Sequence, residues 1–269
     1  MDLLLIFLRR ELRDIRHNNR LWPVYLVMPV LGIGIPVMFA FVGPIMAQQA
    51  ATRHDAGMLA LLQTLQRAPE FARYAVEQAL TAYLLRSSAG FYLLLPVALS
   101  STAAAFSIVG EKQQRTLEPI LATPITDRQF LLGKLIASVA PTVLVTWAAG
   151  AVAVVLVDLI TWRAFDHPVL PDRFWVLSLG VLSPLLAIAV VLVTMILSAK
   201  STDPQATVQT TALVIIPGFL LIFGVFGRLL TTSFPALAVT CVIALALAVG
   251  LFRANVRRFK REEILTRWK

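Results

Sequence analysis

The chain is poor in the residues that build catalytic or metal centres. It has one cysteine and three histidines, and its few charges gather at the edges of apolar runs. A lone thiol, Cys241 in the last apolar stretch, excludes an intrachain disulfide and reads as packing. His17, His54 and His167 fall in three separate segments without HExxH or paired Cys/His spacing, so each reads as an interfacial polar residue and no metal site is expected. Gly133-Lys134 lacks the rest of a phosphate loop. Arg128 stands where the first glycine belongs and Leu135 where a Ser or Thr would hold magnesium. The chain is therefore expected to bind no cofactor and to hydrolyse no ATP. Its first residues, Met1 to Arg10, put the apolar run before the charges and show no small-residue cleavage site, the reverse of a secretory leader. No repeat of 20 to 50 residues and no low-complexity tract is evident.

What is abundant is apolar surface. Of 269 residues, 58% are hydrophobic and only 14% charged, with a mean hydropathy of +0.78, which places the chain among polytopic membrane proteins. A span needs roughly 20 apolar residues to cross about 30 Å of hydrocarbon. Six stretches approach that length: Leu21 to Val42, Ala89 to Val109, Leu135 to Val157, Phe174 to Ala199, Ala206 to Gly227 and Ala236 to Phe252. The expected fold is all-α, a single transmembrane domain over residues 1–269 with six membrane helices. The first stretch carries Pro23, Pro29, Gly32, Gly34 and Pro36, which membrane helices tolerate as bends or close-packing points. The small-residue run Leu99 to Ser107 fits either ordinary bundle packing or a subunit or pathway interface. Glu111, Lys134, Asp158 and Arg228 all fall at the ends of stretches, and no ionisable residue is central. That disfavours a proton relay, an ion-coupled carrier and a buried acid–base pair, because such devices put charge inside the membrane.

A net charge of +9 raises the question of nucleic acid, but the basic residues flank the spans, and no nucleic-acid partner is expected. With the N-terminus inside, 17 of the 24 Lys and Arg fall on the cytosolic side, which puts both termini in the cytosol and adds attraction to lipid headgroups. Residues 1–20 alternate Leu4, Leu5, Leu8, Leu12 and Ile15 with Arg9, Arg13, Arg16 and Arg20. The pattern suits an interfacial amphipathic helix, and a simple basic flank would also account for the charges. Residues 44–88 are expected outside the membrane as two short helices on its outer face. The loop from Trp162 to Pro171 reads as a headgroup anchor, Arg228 to Pro235 as a short or re-entrant turn, and residues 253–269 as a basic cytosolic tail.

One polar segment is more structured than a connection requires. Thr126 followed by Gln129 forms a capping box that predicts a helix from Asp127 into the third span, with Asp127 favourably placed on the helix dipole. Upstream, Thr116 to Pro124 reads as one or two helical turns, with Pro119 near the start and Pro124 ending them. Fixed corners on both sides suggest a docking helix within 111–126.

At these residues the chain resembles the ABC type-2 permeases, the membrane subunits of ATP-binding-cassette exporters. The shared pattern stands here as Glu111, Thr116, Leu117, Glu118, Ile120 or Leu121, Pro124, then Gly133 and Lys134. The six-span layout, the basic N-terminal elbow helix and the basic tail extend the resemblance over the whole chain. It implies a half-transporter in a bacterial or archaeal plasma membrane. Two permeases, identical copies or sister chains, would work with separate nucleotide-binding ATPase subunits that carry the ATP and Mg. In that arrangement Glu111, Arg115 and Glu118 orient the coupling helix by charge, and Leu117, Ile120 and Leu121 supply buried contact beside Thr116 and Pro124. Lys134 holds the third span at the interface. Few buried charges favour an amphipathic or lipophilic cargo over an inorganic ion. Two other classes stay in view. An intramembrane enzyme would need a catalytic pair or metal cluster inside a span, which the sequence does not display. A non-transporting assembly subunit would recruit a cytosolic ATPase through the same segment.

Overall fold

The structure, a computed structural model, describes residues 21–53, 56–68, 71–113, 126–198, 201–217 and 234–258, with four positions before residue 20. Among the described residues all regular structure is helical. The helices are α1 (Trp22–Arg53), α2 (Ala56–Arg67), α3 (Val76–Tyr92), α4 (Leu94–Gln113), α5 (Asp127–Phe165), α6 (Arg173–Leu177), α7 (Ser183–Ser198), α8 (204–217) and α9 (Phe234–Arg258). A π-helical turn, Ser178–Leu182, joins α6 to α7.

Among the described residues, five helical runs are long and apolar enough to cross a membrane: Trp22–Gln49, Gln78–Gln113, Asp127–Phe165, Arg173–Ser198 and Phe234–Arg257. Of the remaining expected stretch, Ala206 to Gly227, only the part in α8 is described. Most of the elbow helix expected over 1–20, the turn at Arg228 and most of the 253–269 tail lie outside the described residues. Arg253 to Arg258, the first part of that tail, continue α9.

The region from 44 to 88 departs from expectation. α1 runs through Pro44 to Arg53, α2 is a short helix, and the second expected short helix is, in the described residues, the beginning of the next span. Arg86, Ser87 and Ser88 depress the local hydropathy and hide this continuity in the sequence. The helix survives because the packing accommodates Arg86, as described below. α3 and α4 are separated only at Leu93, whose N–H still bonds to the carbonyls of Ala89 and Gly90. Pro96 supplies the cause: lacking an N–H, it cannot bond the Tyr92 carbonyl one turn earlier.

Helix α1 packs on α3 and α5, α4 on α7 and α5, and α7 on α9. Gly43 lets α1 approach α3 closely. A Cβ there would lie 2.7 Å from Thr81 Oγ1 and 3.0 Å from Thr81 Cα, as expected where small residues bring membrane helices together. One large buried cluster surrounds Leu85, Tyr92, Leu99, Val157 and Trp175, and a smaller one joins Ala104, Phe130, Leu131 and Leu192. Three interior threonines bond to carbonyls of their own helices: Thr142 donates to Ser138 O at 2.9 Å, Thr146 to Thr142 O at 2.8 Å, and Thr194 to Val190 O at 2.8 Å. Large apolar side chains remain exposed along α1, α5 and α9, among them Leu26, Leu144, Leu159 and Val242, the pattern of a surface that faces hydrocarbon.

The charges mark the two ends of the bundle. No Asp, Glu, Lys or Arg stands between Arg86 and Glu111 or between Lys134 and Asp158. At 1.5 Å per residue each interval spans about 37 Å, slightly more than the hydrocarbon thickness.

Candidate functional site

The end of the bundle that carries Glu111 is held by buried charge. Ser107 and Glu111 lie one turn apart on α4, so their side chains share a face, and Lys134 reaches that face from the second turn of α5. Lys134 is only 1% exposed. Its Nζ lies 2.7 Å from Glu111 Oε2 and donates to Ser107 Oγ at 2.9 Å and Ser107 O at 3.2 Å. The ring of Phe130 lies 5.8 Å away on the same helix, a weak cation–π contact. An ammonium taken out of water is tolerable only with such a set of partners, because the desolvation cost is several kcal/mol.

The neighbouring residues of α4 tie it to α7. Lys112, also buried, donates from Nζ to Ser198 O at 2.5 Å, a carbonyl at the end of α7 that also accepts from Ser201 N at 3.3 Å. Gln113 Nε2 donates to Thr202 O at 3.0 Å. Asn255 on α9 reaches Leu192 O at 3.1 Å and Leu251 O at 2.9 Å. The last turn of α4 is thus joined to α5 through Glu111 and to α7 through Lys112.

The start of α5 is as the sequence expects. Thr126 is the N-cap, its Oγ1 accepting from Gln129 N at 3.3 Å, and Gln129 Oε1 accepts from Thr126 N at 2.9 Å. Between these anchored ends lie residues 114–125. Arg115, Thr116, Leu117, Glu118, Ile120, Leu121 and Pro124 fall there and are outside the described residues. Of the nine candidate residues the structure brings together Glu111 and Lys134, which bracket that segment.

Lys112, Ser107, Ser198 and Asn255 escaped the sequence reading. Ser107 carried a signal, since it precedes Glu111 by four positions on a helix. Lys112 and Asn255 carried none, because only the packing reveals that a basic residue and an amide among arginines turn inward. No group of three or more His, Cys, Asp or Glu suited to a metal ion occurs among the described residues.

A tightly paired lysine and glutamate, joining two membrane helices on either side of a polar segment, accompanies a match along almost the full length. Residues 5–256 match the family described as ABC-2 family transporter protein. The chain belongs to this family. Among curated proteins none matches. As an ABC-2 protein it is an integral membrane component of a transport system, in agreement with its apolar helices.

Proposed function

We propose that this chain is the permease subunit of an ATP-driven exporter, and that residues 111–126 receive the force from a separate nucleotide-binding subunit. The Glu111–Lys134 pair carries the reading. It fastens the end of α4 to the start of α5 at the two exits of the 114–125 segment, so a displacement of that segment moves both helices together. Pulling the pair apart would strand a charge in an apolar setting at a cost of about 3–5 kcal/mol, which makes joint motion the cheaper response.

In this reading Leu117, Ile120 and Leu121 fill a cleft of the ATPase, while Arg115 and Glu118 orient the helix, with Thr116 and Pro124 shaping its ends. The Glu111 end faces the cytosol, as the distribution of Lys and Arg favours. Two permeases, identical or sister chains, enclose the route. ATP and Mg reside on the partner, and the cargo is amphipathic or lipophilic. The test is co-expression with the ATPase encoded nearest to this chain. Leu117→Asp and Glu118→Arg are expected to abolish co-purification of the ATPase and cargo-stimulated hydrolysis while leaving the permease folded. Retention of both by the two variants would overturn the proposal.

A further inference from the structure

The opposite end of the bundle holds a cavity of about 500 Å³ that no coupling role uses. It opens where the turn before α3, the interior face of α3, the 169–173 segment and the first residue of α9 meet. Among the described residues, three arginines, Arg73, Arg86 and Arg173, line it together with one carboxylate, Asp172. Arginine stays protonated at any physiological pH, so these described lining residues carry more positive than negative charge.

Arg86 is held from below. Arg86 is 7% exposed, its guanidinium carbon 5.0 Å from the ring centroid of Phe174 and 5.7 Å from that of Phe71. Its Nε lies 3.6 Å from Asp172 Oδ2, while Oδ1 of the same carboxylate accepts from Trp175 N at 2.8 Å and caps α6. Asp172 therefore serves both a helix start and Arg86. Arg73 donates to the Tyr74 hydroxyl at 2.7 Å and is exposed, as is Arg173. The remainder of the wall is mainly apolar, with Phe71 and Phe234 contributing rings.

From this combination we infer a binding site for an anionic amphiphile, a molecule with a phosphate-like acidic head on an apolar body. Arginine forks pair with phosphate or carboxylate oxygens through parallel N–H donors, and a bare anion would leave the aromatic wall unused. The volume falls in the range of small-molecule pockets and holds a headgroup with its first carbons. The rest of an acyl chain would run along the exposed apolar helices. Arg86 lies about 37 Å along the helix from Glu111, which puts the site at the membrane boundary, where such a molecule presents its head. The site does not depend on ATP-driven transport, and its test uses neither ATP nor an ATPase.

The probe is dodecyl phosphate titrated calorimetrically into the full chain purified in a neutral detergent. Inorganic phosphate and dodecanol serve as the head-only and tail-only controls. A single saturable site is expected for dodecyl phosphate, with both controls much weaker. Arg73→Gln with Arg173→Gln, at exposed positions chosen so that folding is retained, should lower the affinity by at least roughly tenfold, since hydrogen bonds to charged groups are lost. Arg86→Lys, which keeps the charge and removes the fork, should weaken binding as well. A second arm reconstitutes the chain in neutral phosphatidylcholine nanodiscs doped with phosphatidylglycerol. Retention of phosphatidylglycerol there identifies a membrane lipid as a source, and binding of dodecyl phosphate without it identifies a soluble amphiphile; either supports the site. Equal affinity in wild type and the double variant, equal binding of inorganic phosphate or dodecanol, or no binding in either arm would overturn it.

Discussion

Replacing Lys134 by Met, Glu111 by Leu, and then both together tests whether the α4–α5 pair is a joint or an ornament. Lys134 is almost fully enclosed, its ammonium 2.7 Å from the Glu111 carboxylate, and the Glu111 side chain is itself only 11% exposed. Removing one member leaves the other charge in a site built for two. That costs about 3–5 kcal/mol, against a typical exposed ion pair at about 1 kcal/mol or less. Removing both leaves no charge to desolvate, and methionine and leucine restore much of the volume, so the double variant is expected to be less destabilised than either single one. A helical serine hydroxyl such as that of Ser107 can turn to the carbonyl one turn earlier when Nζ is lost, which limits the secondary damage. Glu111→Gln keeps an acceptor toward Nζ and should fall between wild type and Glu111→Leu. The assay is thermal unfolding of the purified chain in detergent. At about 2–4 °C per kcal/mol, each single variant should lower the midpoint by roughly 10 °C. A double variant as destabilised as the sum of the singles, or singles that each cost less than about 1 kcal/mol, would refute the argument and with it the rigid connection on which the coupling proposal stands.

Two further outcomes follow from the packing. Gly43→Ala should destabilise by about 1–3 kcal/mol because its methyl meets the Thr81 backbone, whereas Gly34→Ala, with nothing within 4 Å, should be neutral or slightly stabilising; unfolding midpoints of the two variants decide this. Asp158→Ala removes the acceptor for Val169 N at 2.9 Å and Leu170 N at 3.0 Å, which should cost about 1–3 kcal/mol and speed amide hydrogen exchange at those two positions, while Asp158→Asn should be milder.

Much of the fold was legible without coordinates because its determinants are local. A run of about 20 apolar residues has few alternatives to a membrane helix. The start of α5 followed from Thr126 and Gln129, since a capping box is a contact between residues three apart. Glu111 and Lys134 stood out because both are charged residues beside apolar stretches. Whether they touch was not legible, as 23 positions separate them and only the packing of α4 on α5 closes the gap.

The sequence by itself determined that this protein is helical and membrane-embedded, with one compact polar segment before the third span. Tertiary structure decided what hydropathy misjudges. It carried the second span back through Arg86 by stacking that guanidinium on Phe174 and Phe71, and it turned Lys112 and Asn255 inward to satisfy carbonyls of α7. It also gathered arginines from residues 73, 86 and 173 around one cavity. The physical reason is common to all three cases. The cost of a charge or amide depends on the partners it finds in space, and a linear chain displays the groups without their partners.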